Sequence, residues 1–292
     1  MTEAGQSADF WTTYQPGFRF SEKEPGTPEF FSEVERHRYE LEPHIRKIVD
    51  FPRWAGSRVL EVGCGVATDG LQFARARAKY TGLDSSERAL DLARRRFEFE
   101  DAAGEFVAGS ATNLPFDDET FDLVYSHGVL HHIPETRKAV AEMHRVLKPS
   151  GTALVMLYHR RSLNYYVNIL LIRRLLALLL LAPGAPRVLG AVTGEPAAIA
   201  GHRALLRAHG LRYLLDRSLF LSNNTDGPGN PLSKVYSRDE ALALFAPFAS
   251  VTTTVRFLNL RVYPAGDRLA RTRIAAALER HVGWHLYVRA EK

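Results

Sequence analysis

Thiols are almost missing from this chain: Cys64 is the one cysteine in 292 residues. A lone cysteine cannot close an internal disulfide, and it cannot build a cysteine-based zinc or iron–sulfur centre. No metal site is expected. Internal repeats are missing too, and one leucine tract is the nearest approach to low complexity. With 46% hydrophobic and 24% charged residues, the composition is that of a globular protein, which excludes disorder, collagen and coiled coil. There is no apolar leader, since Met1–Asp9 reads MTEAGQSAD. That opening and the single thiol lead us to expect a reducing, cytoplasmic setting.

The charge that is present is lopsided. Residues 1–150 hold 19 Lys+Arg against 25 Asp+Glu, a net of −6, whereas residues 151–292 hold 19 against 8, a net of +11. A basic half of this kind suits nucleic acid, an anionic membrane surface or an acidic small molecule; the plainer reading is a solvated arginine-rich face.

Aromatic residues Phe10, Trp11, Tyr14, Phe18 and Phe20 cluster early, and a helical pattern runs from Glu29 to Val49. From Arg58, strands and helices alternate. RVLEV (58–62), KYTGLD (79–84), EFVAG (105–109), FDLVYSH (121–127) and TALVMLY (152–158) read as strands, the last after a Pro149-Ser150-Gly151 turn. Helical segments between them imply a parallel sheet covered on both faces, wound right-handedly in both directions. After Tyr158 the rhythm breaks into helices, with SVTTTVRFL (250–258) and GWHLYVRA (283–290) as closing strands. The expectation is an α/β fold: a doubly wound, seven-stranded, mostly parallel sheet with an antiparallel edge strand, plus a helical cap. It divides into an N-terminal helical lid (1–57), a core (58–158), a helical insertion (159–249) and C-terminal strands completing the sheet (250–292).

Glu61-Val62-Gly63-Cys64-Gly65 ends the first strand. Glycines there let the backbone approach a ligand, and the next helix offers its unpaired N–H groups. Asp84 ends the second strand, where doubly wound folds place an acid on ribose hydroxyls. A dinucleotide site would want a glycine or alanine at position 68, where Thr68 stands. Glu61 would repel a pyrophosphate but suits a cationic amino-acid tail. S-adenosylmethionine (SAM) has an ammonium group, a sulfonium and a ribose diol, and no phosphate.

E-V-G-C-G (61–65), T-G-L-D (81–84), N-L-P-F (113–116), F-D-L-V (121–124), V-L-H-H-I (129–133) and L-K-P-S-G (147–151) together resemble class I SAM-dependent methyltransferases, in the group of type 11 methyltransferase domains. The resemblance covers about residues 55–158. It implies a SAM-binding Rossmann-like core, with Glu61, Gly63, Cys64 and Gly65 at the methionine end and Asp84 and Ser85 at the ribose. Gly109-Ser110-Ala111, with Thr112 beside it, stands where the family carries Gly-Asp-Ala at the adenine. Ser126 and His131 approach from the fourth strand, and Tyr14, with Trp11 and Phe18, closes over the cofactor. His131 and His132 are the candidate bases, each able to carry a proton near neutrality.

The Asp/Asn-Pro-Pro-aromatic tetrapeptide of nucleic-acid amine methyltransferases is missing; Ser126-His127-Gly128-Val129 stands in its place. A small-molecule acceptor is therefore favoured over nucleic acid. The resemblance makes 159–249 the substrate-recognition insertion. Its turn-rich loop Asp226–Pro231 is a double turn whose plain reading is structural, a reversal of the chain into the helix at 238; the alternative is that its neighbours Lys234 and Tyr236 are polar handles for the acceptor. The insertion's leucine-rich helix, 163–182, is interrupted by Asn164, Asn168, Arg173 and Arg174. Paired arginines near its centre argue against a bilayer span. A buried lid helix is the plain reading. Its alternatives are a wall of an apolar acceptor pocket and a peripheral membrane contact, since residues 160–217 hold nine arginines against Glu195 and Asp216. The acceptor reading is thus a small, apolar molecule. Rivals are a SAM-binding regulator or membrane-docking protein without turnover, and an RNA methyltransferase; oligomeric state is left open.

Overall fold

Alternating apolar runs and helices assemble into one seven-stranded sheet of order β3-β2-β1-β4-β5-β7-β6. The computed structural model describes residues 10–13, 17–260, 266–270 and 272–292. Strands β1 (Arg58–Val62), β2 (Lys79–Asp84), β3 (Glu105–Ala108), β4 (Phe121–His127) and β5 (Leu147–Tyr158) run parallel. β7 (His285–Glu291) pairs antiparallel with both β5 and β6 (Ser250–Arg256). The expected α/β architecture, mostly parallel with antiparallel pairing at one edge, is present. Strand order reverses between β1 and β4, and that switch opens a crevice at the carboxyl ends of the strands.

Both faces of the sheet are covered, so β4 and β5 read as near-continuous apolar runs; Leu123, Val124, Val155 and Leu157 are fully buried. The covering helices are α1 (Pro28–Leu41), α2 (His44–Val49), α3 (Thr68–Arg75), α4 (Glu87–Phe99) and α5 (Thr136–Val146). The Ser86 side chain caps α4 by accepting from the Ala89 N–H. Beyond β5 lie α6 (164–179), α7 (Ala185–Thr193), α8 (Pro196–His209), α9 (Leu211–Leu215), α10 (Arg217–Thr225) and α11 (Arg238–Leu244); α12 (Gly266–Ala270) and α13 (Arg273–Val282) separate β6 from β7.

Three sequence expectations are corrected. The helix read from Glu29 to Val49 is two helices, because Pro43, which lacks an N–H, separates α1 from α2. The Pro149-Ser150-Gly151 turn is a bulge inside β5: Phe121 pairs with Leu147 but Leu123 with Thr152, and Ser150 takes φ 64°. The leucine-rich helix is not buried all round. It is π-wound over Asn164–Arg173 and α-helical over Arg174–Leu179. It packs through Tyr165, Ile169, Ala177 and Leu180, while Leu175 and Leu179 are 55% and 53% exposed. No helix among the described residues is long and apolar enough to cross a membrane.

Helix α1 is locked to the core by one carboxylate. Asp69, in the first turn of α3, accepts from the Arg38 guanidinium at Nε (2.8 Å) and Nη2, from the Tyr39 hydroxyl (2.8 Å) and from the Tyr125 hydroxyl (2.7 Å). Burial alone would raise its pKa, but Arg38 and the two phenols outweigh it and hold Asp69 below its ordinary value. Asp69 therefore adds stability above the ordinary carboxylate pKa, and that contribution is lost as pH falls through the folded-state value. Asp69→Asn should lower unfolding stability by about 3 kcal/mol, as expected when one partner of a buried pair is removed. Urea midpoints at pH 7 check this, and wild-type-like midpoints would refute it.

Candidate functional site

β1 ends at Val62, and the chain then turns through Gly63 (φ 75°) and Gly65 (φ 53°) into α3. A Cβ on Gly63 would lie 2.3 Å from Val129, so only glycine lets this loop meet the segment after β4. Gly63 and Cys64 donate their N–H groups to the Leu83 carbonyl at 2.7 and 3.0 Å, fastening the loop to β2. At the end of β2 the Asp84 carboxylate is held by two backbone donors, Gly65 N–H and Ser86 N–H, both at 2.9 Å. Burial raises the Asp84 pKa, and those N–H groups pull it back. Each oxygen keeps a lone pair for a ligand.

These elements enclose a cavity of about 330 Å³. Gly63, Gly65, Asp84 and Ser85 form one wall; Ser110, Ala111 and Thr112 form a second; Gly128, Val129, His132 and Ile133 form a third, and Trp11 lies at the rim. The Ser110 and Thr112 hydroxyls are 2.9 Å apart, and the Thr112 N–H donates to Ser110 Oγ. The Trp11 ring centroid is 4.7 Å from that of His132. Tyr14 lies outside the described residues.

Four other expected cofactor contacts stand behind the walls. Glu61 is buried and accepts from the Tyr80 hydroxyl at 2.6 Å. Burial, then the charge of Asp69, pushes its pKa up to about 8, so it is protonated near neutrality. Cys64 is buried with its thiol pKa pushed up by burial, as suits an inert small residue. The Ser126 hydroxyl donates to the Val62 carbonyl at 2.9 Å, which joins β4 to β1. His131 is fully buried and stacks on Tyr158, with centroids 3.6 Å apart. Burial holds His131 neutral, and it does not line the cavity.

His132 is the histidine that reaches the cavity. Its Nδ1–H donates to the Leu232 carbonyl at 2.7 Å, and its Nε2 lies 3.4 Å from the Asp226 carboxylate. Burial lowers its pKa, partly offset by Asp226. The Tyr158 hydroxyl also donates to Asp226, at 3.2 Å. With Nδ1–H given to Leu232, the lone pair of the neutral ring is on Nε2, and a proton taken there is stabilised by the Asp226 carboxylate beside it. Asp226 was read only as part of a turn-rich loop; the one clue was an acid inside the insertion. Lys234, read as an acceptor handle, instead donates to the Ile133 and Pro134 carbonyls.

Residues 60–155 match a family model described as "Methyltransferase domain". The demethylmenaquinone methyltransferase of Clavibacter sepedonicus is 40% identical over 101 residues, 35% of this chain and 41% of the relative. A phthiotriol/phenolphthiotriol dimycocerosates methyltransferase of Mycobacterium tuberculosis is 41% identical over 98 residues, 33% of this chain and 36% of the relative. The chain thus spans about two fifths of the length of the curated relatives it matches. Among solved structures, a SAM-dependent methyltransferase from Mesorhizobium loti shares the fold at 17% identity, with a TM-score of 0.51 over 85% of this chain and 97% of that one.

The state of Glu61 gives a test by pH. Between the ordinary carboxylate pKa and about 8, the folded state keeps a proton that the unfolded state has released. Stability should therefore fall as pH rises through that window, by up to about 1.4 kcal/mol per unit. Glu61→Gln removes the titration, so its stability should fall less between pH 5.5 and 7.5 than that of the wild type. Parallel urea-midpoint profiles would refute the assignment.

Proposed function

We propose, from the premise that residues 60–155 form a class I SAM-dependent methyltransferase domain, that the chain methylates an apolar, lipid-like acceptor met at a membrane surface. SAM, when bound, supplies an electrophilic methyl group on a sulfonium. The residues present fit it: Asp84 offers two anchored carboxylate oxygens to a ribose diol, and Ser110 and Thr112 offer hydroxyls at the adenine wall. The glycine loop gives close backbone approach at the methionine end. Trp11 lines the cavity beside His132, and its ring adds an apolar surface that helps to fix the line of attack. Where the acceptor must lose a proton, His132 takes it, and Asp226 steadies the imidazolium.

The observation that carries the acceptor class is the outer face of the insertion. Leu175, Leu178, Leu179 and Leu181 are all about half exposed, and Val192 and Leu215 are 77% and 76% exposed. Exposed Arg187, Arg203, Arg207 and Arg212 lie in the same helical block. An apolar face among cations suits insertion into an anionic lipid surface. Arg173 and Arg174 are not part of that face: Arg173 donates to the Asn224 carbonyl at 2.8 Å, and Arg174 lies over the Phe220 ring. Relatives named for demethylmenaquinone and for phthiotriol dimycocerosates support an acceptor of this class.

Two outcomes are expected. Asp84→Ala should weaken SAM binding by about 1.5–3 kcal/mol, as for hydrogen bonds to a charged group; equal affinities by calorimetry would refute the ribose contact. With methyl-labelled SAM and anionic vesicles carrying a lipid extract, label should enter the organic phase, and the protein should float with the vesicles at low salt and leave them at high salt. Reversing Arg187, Arg203 and Arg207 to Glu should cut vesicle partitioning roughly tenfold or more. A protein that stays with the aqueous phase at every salt concentration, and labels only water-soluble products, would overturn the reading.

A further inference from the structure

We propose that Glu42, His127 and His285 form a binding site for a zinc-class divalent cation, separate from the cofactor cavity. The three residues come from three elements. Glu42 caps the C-terminus of α1, His127 ends β4 and His285 begins β7. In the sheet, His127 pairs with Met156 of β5 on one side, and His285 pairs with Tyr158 of β5 on the other. The carboxyl end of β5 therefore holds the two imidazoles at a fixed spacing, and α1 lays its terminal carboxylate across them.

The distances suit a shared ion. His127 Nε2 and His285 Nε2 each lie 3.9 Å from an oxygen of the Glu42 carboxylate, and one donor atom from each residue falls within 4.8 Å of the others. Ligands about 2.0–2.2 Å from a tetrahedral ion stand roughly 3.4 Å apart, so a modest contraction closes the site. The outer partner is also in place: His44 Nε2 is 3.2 Å from His285 Nδ1. With His285 donating from Nδ1, its Nε2 carries the lone pair that a metal needs. The Tyr287 hydroxyl, 3.0 Å from His127 Nε2, now holds the lone pair that the ion would take.

The side chains of His127, His285 and Glu42 are 5%, 4% and 16% exposed, so the ion would sit nearly dry. Burial keeps both imidazoles neutral, the form that ligates. Two positive groups face the cluster. Arg38 lies 3.9 Å from Glu42, and Arg256 acts on His44. The charge of Arg38 is already taken by Asp69, and Glu42 supplies the anion. Two imidazoles and one carboxylate select zinc and its neighbours over magnesium or calcium, which want oxygen shells. None of the three residues lines the cofactor cavity, so the ion would act as a staple that ties the lid helix to the sheet. Positions 42, 127 and 285 have no spacing signature, which is why no metal was expected from the sequence.

The test uses the untagged full chain after dialysis against a chelator, titrated with ZnCl₂ and, separately, MgCl₂. One equivalent of zinc should bind, no heat should accompany magnesium, and the melting temperature should rise with zinc. Glu42→Gln and His285→Ala should weaken zinc binding tenfold or more. His281→Ala, on an exposed residue outside the cluster, should leave it unchanged. Since His285→Ala can also disturb the strand, Glu42→Gln is the deciding variant. With circular dichroism confirming its fold, the visible absorption of bound Co²⁺ seen in the wild type should be lost. Absence of stoichiometric zinc binding, or equal binding by wild type and Glu42→Gln, would overturn the proposal.

Discussion

The carboxylate of Asp69 is the constraint on which the arrangement depends. It is buried in the first turn of α3, directly after the glycine loop, and it accepts from Arg38, Tyr39 and Tyr125. One anion thus fastens α1, the loop-bearing helix α3 and the central strand β4 at one point. A charge so deep is tolerated because a guanidinium and two phenols surround it. The same charge adds to the effect of burial on its neighbour: burial, then Asp69, raises the pKa of Glu61, which accepts from Tyr80. Two nearby acids thereby divide into one clamp and one neutral strut.

The cavity walls follow from that frame. Carbonyl and hydroxyl bonds bind the strand ends to one another, through Leu83 to the glycine loop and through Ser126 to Val62. The contact between Gly63 and Val129 sets how closely the loops after β1 and β4 approach. What remains for a ligand is the space between the four short loops that start where β1, β2, β3 and β4 stop.

Much of this was legible in the sequence because the signals are local. A strand run, a glycine pair and an acid at the next strand end placed Gly63, Gly65 and Asp84 on the cavity without knowledge of the fold's far side. Ser110, Ala111 and Thr112 came instead from the family resemblance, since they stand where the family carries Gly-Asp-Ala. Glu61 and His131 lie behind the cavity walls, which sequence could not tell, because it gives a residue's position along a strand but not which side its atoms face once loops have closed over it. Asp226 was not legible as a partner of His132, since 94 positions and a helical insertion separate them. The half-exposed face of α6 was equally hidden: an apolar tract has the same composition whether a core or solvent meets it.

β7 lies between β5 and β6 although it is made after both. β6 has no other strand to pair with among the described residues, so during synthesis it waits unattached while the edge of β5 stands open. That edge is the run from Ala153 to Tyr158, six apolar residues without a charge. An open edge of this kind pairs readily with any strand at hand, including one from another copy. The order in which the chain is made therefore leaves its most adhesive strand unguarded until His285–Glu291 arrives. Slower elongation between β5 and β7 would lengthen that interval and raise the share of protein lost to aggregation.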